Sequence, residues 1–368
     1  MKLAKIVITG GPCAGKTTGL SYVEQEMTKR GYKVVFVGET ATELILGGFG
    51  TKAYKEFSDF ESAVLSMQLL KEDFYEKQCK YLPDEKVLLV CDRGTMDCKG
   101  YIGEKTFAEI LDKLGLNEIN LRDDYDGVFH LVTAAKGAEE YYTLSNNGAR
   151  SESIEEAREM DDKTIASWTG CPHFRVIDNS TNFEDKLKRL VKEICACLGE
   201  PIPMEIERKY LIEKPDLEKL EAMPNCNKVD IVQTYLQTDD DSETRIRQRG
   251  KDGSYVYTVT TKRKVSDIQR EEVERRITER EYLTLMMSSD TQLKQVKKTR
   301  YLLTYDNRYY EIDVYPFSKN RAICEIELAD ENEKVELPPF IKIIREVTDD
   351  KKFSNFALAS DIPEDLLV

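Results

Sequence analysis

The spacing of apolar residues changes once along this chain, and that change bounds the folds available to it. Upstream of Gly199-Glu-Pro-Ile-Pro203, short apolar runs at Lys5–Thr9, Val34–Gly38, Val87–Cys91, Val128–Val132 and Arg175–Ile177 read as buried strands. Segments of helical spacing separate them, at about 16–30, 60–81, 104–115 and 183–198. Strands alternating with helices predict an α/β domain, a parallel sheet with helices on both faces. Downstream of Pro203 the spacing becomes period two, as in Glu205–Tyr210, Thr244–Arg247 and Tyr309–Val314, with helical patterns only near 215–223 and 278–290. This pattern predicts an α+β domain. About eight strands can be counted between 203 and 329, enough to close a barrel around one small ligand. Gly199 suits a helix C-cap and the two prolines prevent continuation, which divides the chain into domains 1–199 and 200–368.

Composition narrows the chemistry. The 368 residues carry 68 acidic and 54 basic side chains, a net charge of −14, and only two histidines, His130 and His173. Two histidines argue against a His-based zinc site, so an expected metal is a hard ion held by carboxylates, Mg²⁺ or Mn²⁺. The acidic balance argues against nucleic acid as a partner. Nine scattered cysteines contain no CxxC pair and read as reduced thiols. No apolar run approaches the ~18 residues of a membrane span, and the charged N-terminus is not a signal peptide; the expected compartment is the cytoplasm.

In the first half, Gly10-Gly11-Pro12-Cys13-Ala14-Gly15-Lys16-Thr17, followed by Thr18, matches the phosphate-loop pattern GxxxxGK[ST]. The glycines allow backbone N–H groups to converge on a phosphate, Lys16 reaches its β- and γ-oxygens, and the Thr17 hydroxyl binds Mg²⁺. The motif follows a β-rich run and opens a helical one, the context this chemistry requires. Ligands of open α/β sheets sit at the carboxyl ends of strands. Two further strand ends therefore matter: Asp92 with Arg93 after Val87–Cys91, and Glu39 after Val34–Val37. Asp92 stands where a Walker-B acid holds Mg²⁺. The stretch 137–170 contains Arg150 and Arg158 and reads either as a lid bringing arginines to phosphates or as a charged surface helix. Both histidines read as core or hydrogen-bonded residues.

In the second half, charges recur on one face of successive strands: Glu205/Glu207/Lys209, Arg245/Arg247, Lys262, Glu272/Glu274, Lys298/Arg300, Glu311/Asp313 and Glu325/Glu327. Apolar residues (Ile206, Ile246, Val273, Ile312, Ile326) occupy the positions between. An outward charged face would imply no ligand. An inward one brings six cations and a surplus of carboxylates together, a set that a metal–triphosphate complex satisfies.

Two resemblances follow from these residues. GGPCAGKTT, GETATELI, CDRGTMD, HLVTAAKGAEEYYT, NNGAR and IDNSTNFEDKL resemble an AAA-type family of phosphate-loop domains related to nicotinamide-riboside and deoxynucleoside kinases. That resemblance implies ATP or GTP as ligand, Glu39 or Asp92 near an acceptor hydroxyl, and Arg150 and Arg158 as lid arginines. Glu205-Ile-Glu-Arg-Lys209 is the ExExK motif, followed by TRIR, TTK, EEVE, KTRY, EIDVY, EIEL and REVTDDKKFSNFALA. In that order these resemble the CYTH, or triphosphate tunnel metalloenzyme, family. The resemblance implies an eight-stranded antiparallel tunnel barrel and divalent-metal-dependent hydrolysis of a triphosphate-bearing substrate. It makes Glu205, Glu207, Glu325 and Glu327 metal ligands, and Lys209, Arg245, Arg247, Lys262, Lys298 and Arg300 phosphate ligands, with a tail lysine, Lys351 or Lys352. Glu272, Glu274 and Asp313 would complete the metal and water site. The fusion resembles two-domain proteins of the TRPL-translocation-defect type, associated with guanine nucleotides. No NKxD motif is visible, which leaves ATP or GTP open, with Ile177–Thr181 as the candidate base loop. A nucleotide-dependent binding module and a small-molecule kinase are the competing functions.

Overall fold

A computed structural model describes residues 2–142, 153–200, 207–238, 242–264, 270–328 and 334–368. They fall into two compact units, Met1–Cys197 and Leu198–Val368.

The first unit alternates strand and helix. Its strands are β1 (Lys2–Gly10), β2 (Lys33–Val37), β3 (Lys86–Asp92), β4 (Gly127–Leu131) and β5 (Phe174–Ile177). Its helices are α1 (Lys16–Lys29), α2 (Thr40–Leu46), α3 (Phe57–Cys79), α4 (Asp97–Leu114), α5 (Glu118–Arg122), α6 (Ile154–Trp168) and α7 (Phe183–Leu198). All five strands run parallel in the order β2-β3-β1-β4-β5. The central strands are apolar throughout because both faces are covered: Ile6, Val7, Ile8, Leu88, Leu89 and Val90 are fully buried. Gly19 brings α1 against Leu187 and Leu190 of α7, and Gly100 brings α4 against α6. Helix α4 starts seven residues before its expected position of 104. Gly103, at φ 79°, interrupts the helical conformation and hides the first turns from the apolar period.

The second unit carries β6 (Glu207–Glu213), β7 (Cys226–Tyr235), β8 (Glu243–Lys251), β9 (Ser254–Lys264), β10 (Arg270–Ile277), β11 (Val296–Tyr305), β12 (Arg308–Val314), β13 (Arg321–Glu327) and β14 (Ile343–Glu346). Helices α8 (Leu217–Glu221), α9 (Glu279–Met286), α10 (Asn355–Ser360) and α11 (Glu364–Leu367) complete it. The eight strands between 203 and 329 are present, and the short β14 adds a ninth. The sheet runs antiparallel in the order β10-β9-β8-β7-β11-β12-β13-β6-β14. Its two edges, β10 and β14, are not paired with each other among the described residues, so the expected barrel is an open sheet here. Residues adjoining β10 and β6, 265–269 and 201–206, lie outside the described ones.

The charged and apolar faces are both buried, which decides the question the period-two pattern left open. Ile312, Cys324, Ile326 and Tyr301 pack with Leu220 of α8 and with Ile341, while Ile246 packs with Tyr282 of α9. On the opposite face the charged positions at the centre are equally withdrawn from solvent: Asp313 is 0 %, Lys298 4 % and Glu325 6 % exposed, while Glu274 on β10 is exposed. Beyond them on that face, Leu211, Tyr235, Val296 and Ile323 form an apolar plug with Phe353, Leu358 and Leu366. A solvated charged face would not be buried in this way.

Candidate functional site

The N-terminal candidate site is built on the loop between β1 and α1. Gly10 has φ 149°, and a Cβ there would lie 2.2 Å from the Leu131 carbonyl oxygen, so only glycine admits this approach of β1 to β4. Three consecutive carbonyls then point outward. Pro12 accepts from the Thr133 hydroxyl, Cys13 from the Ala134 amide (3.3 Å) and Ala14 from the Lys186 ammonium (3.3 Å). A trans peptide places N–H opposite C=O, so the amides of Cys13, Ala14 and Gly15 face the hollow of the loop. Gly15, at φ 87°, is the N-cap of α1 and supplies no side-chain cap, leaving the first helical amides for an anion.

The cations and acids expected at the strand ends converge beside this loop. Burial and the nearby Arg93 push the Lys16 ammonium down to about 8, against the opposing pull of Asp92, Glu39 and Asp97. Arg93 sits at φ 67°, an uncommon conformation for a side-chain-bearing residue. It is held there by Glu39 Oε1 (2.7 Å) and Asp97 Oδ1 (3.1 Å), with its guanidinium 5.7 Å from the Tyr101 ring centre. Burial opposes ionisation of Glu39, yet Arg93 and Lys16 hold its carboxyl down to about 2. Asp92 Oδ1 is buried with no hydrogen-bond partner among the described residues, and burial raises that carboxyl's pKa. A buried carboxylate oxygen without a donor, within the field of Lys16, suits a hard cation. Thr17 and Thr18 are exposed.

Asp97, Asp161 and Lys186 were not singled out by sequence reasoning. Asp97 accepts from the Gly94 amide (2.9 Å), Trp168 Nε1 (3.2 Å) and the Thr9 hydroxyl, fixing the turn that aims Arg93. Asp161 on α6 accepts from the amides of Gly11 (3.2 Å) and Thr133 (3.0 Å) and meets His130 Nε2 at 2.9 Å. His130 is thus a hydrogen-bonded core residue, as expected. Lys186 also donates to Val132 O and Asn179 Oδ1, both at 2.7 Å, tying the candidate base loop to the phosphate loop. The i,i+4 spacing of Arg93 and Asp97 was a usable signal; for Asp161 and Lys186 the local sequence holds none. Of the lid arginines, Arg158 donates to Ala135 O (2.6 Å) and Glu139 (2.8 Å), and Arg150 lies outside the described residues.

The C-terminal candidate site occupies the charged face of the nine-stranded sheet. Backbone register sets Lys209 opposite Glu325, Glu207 opposite Glu327, Glu311 opposite Glu325, and Arg300 opposite Asp313. Directly opposed residues share a face, so the alternation seen in each strand becomes one continuous charged surface. Arg300 is its centre. It forms a fork with Asp313 (Nε–Oδ1 and Nη2–Oδ2, both 2.7 Å), reaches Glu325 Oε2 at 2.9 Å and pairs with Glu311. Lys298 also pairs with Asp313 and donates to Asn355 Oδ1 at 3.2 Å on α10. Lys209 lies 2.9 Å from Glu325 and 3.2 Å from Glu207.

These contacts set the charges. Burial and Arg300 push Lys298 down to about 8 despite Asp313 and Glu325. Burial opposes ionisation of Glu325, but Lys209, Arg300 and Lys298 hold its carboxyl far below the usual carboxylate range. Lys209 and Arg300 are held above their usual values, against burial, by Glu325 and by Asp313 respectively. On the neighbouring strands, Arg245 and Arg247 stand opposite Tyr235 and Gln233 of β7. Glu274 accepts from the Thr260 hydroxyl at 2.7 Å and lies 3.9 Å from Arg247. Lys262 stands opposite Glu243 and Glu272 by register; the Glu272 side chain lies outside the described residues, as does Glu205.

Three placements differ from the motif reading. Lys351 and Lys352 are both exposed on a 3₁₀ turn, just ahead of Asn355, which accepts from Lys298. Arg249, one period-two step beyond Arg247, is buried on the same face and was missed, although the alternation Arg245/Arg247 runs on to it. Gln233 and Tyr235 were missed because neutral residues do not stand out against charges. Among the described residues no three acidic, histidine or cysteine side chains converge to hold a metal ion. The Glu207/Glu327 pair supplies hard oxygen donors in register, and the expected third carboxylate, Glu205, lies outside the described residues.

Comparison with known proteins places both units. The AAA domain model matches residues 5–186 and the CYTH domain model residues 203–354. An inorganic triphosphatase of Nitrosomonas europaea is 34 % identical over 163 residues, 43 % of this chain and 99 % of that protein. Among solved structures, an inorganic triphosphatase is 31 % identical over 44 % of this chain and 97 % of its own, at a TM-score of 0.32. A deoxyadenosine kinase from M. mycoides with bound dATP is 18 % identical over 52 % of this chain and 98 % of its own, at a TM-score of 0.37. With its charged antiparallel sheet and a phosphate-loop domain ahead of it, the chain belongs to the CYTH family, in the form that carries an N-terminal AAA domain.

Proposed function

We propose that the C-terminal unit hydrolyses a triphosphate-bearing substrate with the help of a divalent metal, Mg²⁺ or Mn²⁺, and that the N-terminal unit binds ATP or GTP at its phosphate loop. The observation that carries this reading is the single buried face on which Lys209, Lys298 and Arg300 meet Glu207, Glu311, Asp313 and Glu325. Three cations would repel one another without anions, and four carboxylates would repel a polyphosphate without a metal. When bound, the metal supplies charge that polarises the phosphoryl group and activates water. The protein's part is to bind and orient: Arg300 and Lys298 would turn from the carboxylates they pair with to phosphate oxygens, leaving those carboxylates to hold the metal. Tripolyphosphate, thiamine triphosphate and nucleoside triphosphates are the candidate substrates.

The test is phosphate release from that panel with Mg²⁺ or Mn²⁺, comparing wild type, Lys16→Ala and Glu325→Gln. Glu325→Gln should lower turnover at least 100-fold and Lys16→Ala should leave tunnel turnover within about twofold. Absence of metal-dependent release from every substrate overturns the reading.

A second reading, a small-molecule kinase in the N-terminal unit, is favoured by one arrangement. Glu39, held ionised by Arg93, stands at a strand end beside Lys16 and Asp92, where an acceptor hydroxyl would lie. Transfer of phosphate from ATP or GTP to any member of a nucleoside and nicotinamide-riboside panel, lost in Glu39→Gln, supports it.

A further inference from the structure

On the charged face of the sheet, one cross-strand row carries no acidic residue by register, although its arginine, Arg247, lies 3.9 Å from Glu274 of β10. Gln233 of β7 stands opposite Arg247 of β8, and Arg247 stands opposite Thr258 of β9. All three share the interior face, since Arg245 and Arg249 flank Arg247 at period two and Ile231 and Tyr235 flank Gln233. Gln233 is wholly buried, and its Oε1 has no hydrogen-bond partner among the described residues. On the far side of Arg247, the Thr258 hydroxyl is also buried without a partner among them. A buried polar atom without a partner is costly, and here two such atoms belong to the residues on either side of Arg247 in the register.

The other end of the Gln233 carboxamide meets the Tyr235 hydroxyl at 2.6 Å, and Arg245 shares that hydroxyl. A carboxamide turned by 180° keeps its shape and exchanges its donor and acceptor. In the turned form Tyr235 donates to the carboxamide oxygen, accepts from Arg245, and leaves the Gln233 NH₂ as the open group. A lone acceptor is of no use to a polyanion; an NH₂ and a hydroxyl on either side of a guanidinium form a donor cradle for one phosphoryl group.

We propose that Gln233 and Thr258 are phosphate ligands that, with Arg247 between them, bind one terminal phosphoryl group of the triphosphate beside the apolar plug. Tyr235 is the positioning residue that orients Gln233. This rests on the triphosphate reading of the tunnel. It adds neutral donors, whose hold on phosphate does not depend on the carboxylates that neutralise Lys209, Lys298 and Arg300.

The test uses the full chain carrying Lys16→Ala, so that the phosphate loop does not contribute. Tripolyphosphate binding is measured by titration calorimetry with Mg²⁺ and with EDTA, alongside Michaelis constants and denaturation of the unliganded protein. Gln233→Leu and Thr258→Val should each weaken binding about tenfold, and the pair about a hundredfold, with unliganded stability kept or raised. The loss should fall on KM more than on kcat. Where Gln233→Leu does not fold, Gln233→Glu keeps the bond from Tyr235 and places a carboxylate against phosphate, so binding should drop at least tenfold. Parent-like affinity in these variants overturns the proposal, and so does a loss of affinity that only parallels a loss of unliganded stability. A parent that binds tripolyphosphate without hydrolysing it breaks the catalytic reading alone, and the affinities still decide the ligand assignment. A parent that binds none breaks both.

Discussion

In the phosphate loop, the carbonyls of Pro12, Cys13 and Ala14 are turned outward by Thr133, Ala134 and Lys186, and the anion site is made of backbone. In the sheet of the second unit the backbone is spent on the strand ladder, and the site is made of side chains that neutralise one another. The first arrangement presents its backbone donors without rearrangement. The second holds its cations in ion pairs, so binding needs something to compete for the carboxylates. A bound divalent metal would do that, and it would let an acid-rich site serve a polyanion.

The strongest way to break the comparison is to remove the centre of the ion-pair network. Arg300→Ala leaves Asp313, Glu311 and Glu325 facing one another in a buried site. Stability should fall by about 3–5 kcal/mol, read as a lower denaturant midpoint, with triphosphate turnover lost. The corresponding cut in the first unit is milder for the fold. Lys16→Ala should cost nucleotide affinity about a hundredfold, by calorimetry with the Mg²⁺ nucleotide, while the denaturation midpoint holds or rises because a buried ammonium is gone.

Acidity sharpens the comparison by showing what the two sites share. Lys16 and Lys298 are both pushed down to about 8 from an ordinary value of 10.5. Each is charged below that value, so raising the pH from 7 to 9 should weaken nucleotide binding and triphosphate binding alike, by up to about tenfold. Unliganded stability should move the other way. A lysine whose folded pKa lies below its unfolded value disfavours folding while charged, and that cost fades between about 8 and 10.5. Binding that strengthens over this range would break the assignment of either ammonium to phosphate. The smallest effect is expected at Lys186→Met, which touches no phosphate. Losing the bond to Ala14 O should loosen the loop and weaken nucleotide binding by about threefold to tenfold, measured by the same calorimetry.

Much of this protein was readable along the chain, and the reasons are local. A phosphate loop is one contiguous segment, so Gly10 to Thr18 declared it. Strand and helix periods follow burial on one or both faces, so apolar spacing was enough to place five parallel strands, eight antiparallel ones and the helix spanning 183–198. The charges at 209, 245, 247, 298, 300, 311, 313 and 325 stood out because alternation puts them on one face of each strand.

What stayed hidden depends on contacts between distant segments. Asp161 meets Gly11 across 150 residues and Lys186 meets Ala14 across 172, and no periodicity reports such a meeting. Gln233 and Thr258 matter only because register sets them on either side of Arg247. Residue order alone was sufficient for the two architectures, the phosphate loop and the identity of the charged positions, because these follow from propensity, periodicity and contiguous motif. Burial of the charged face, and the sharing of Arg300 by three carboxylates, exist only in the folded chain, because burial and pairing arise when strands far apart in sequence are brought into register.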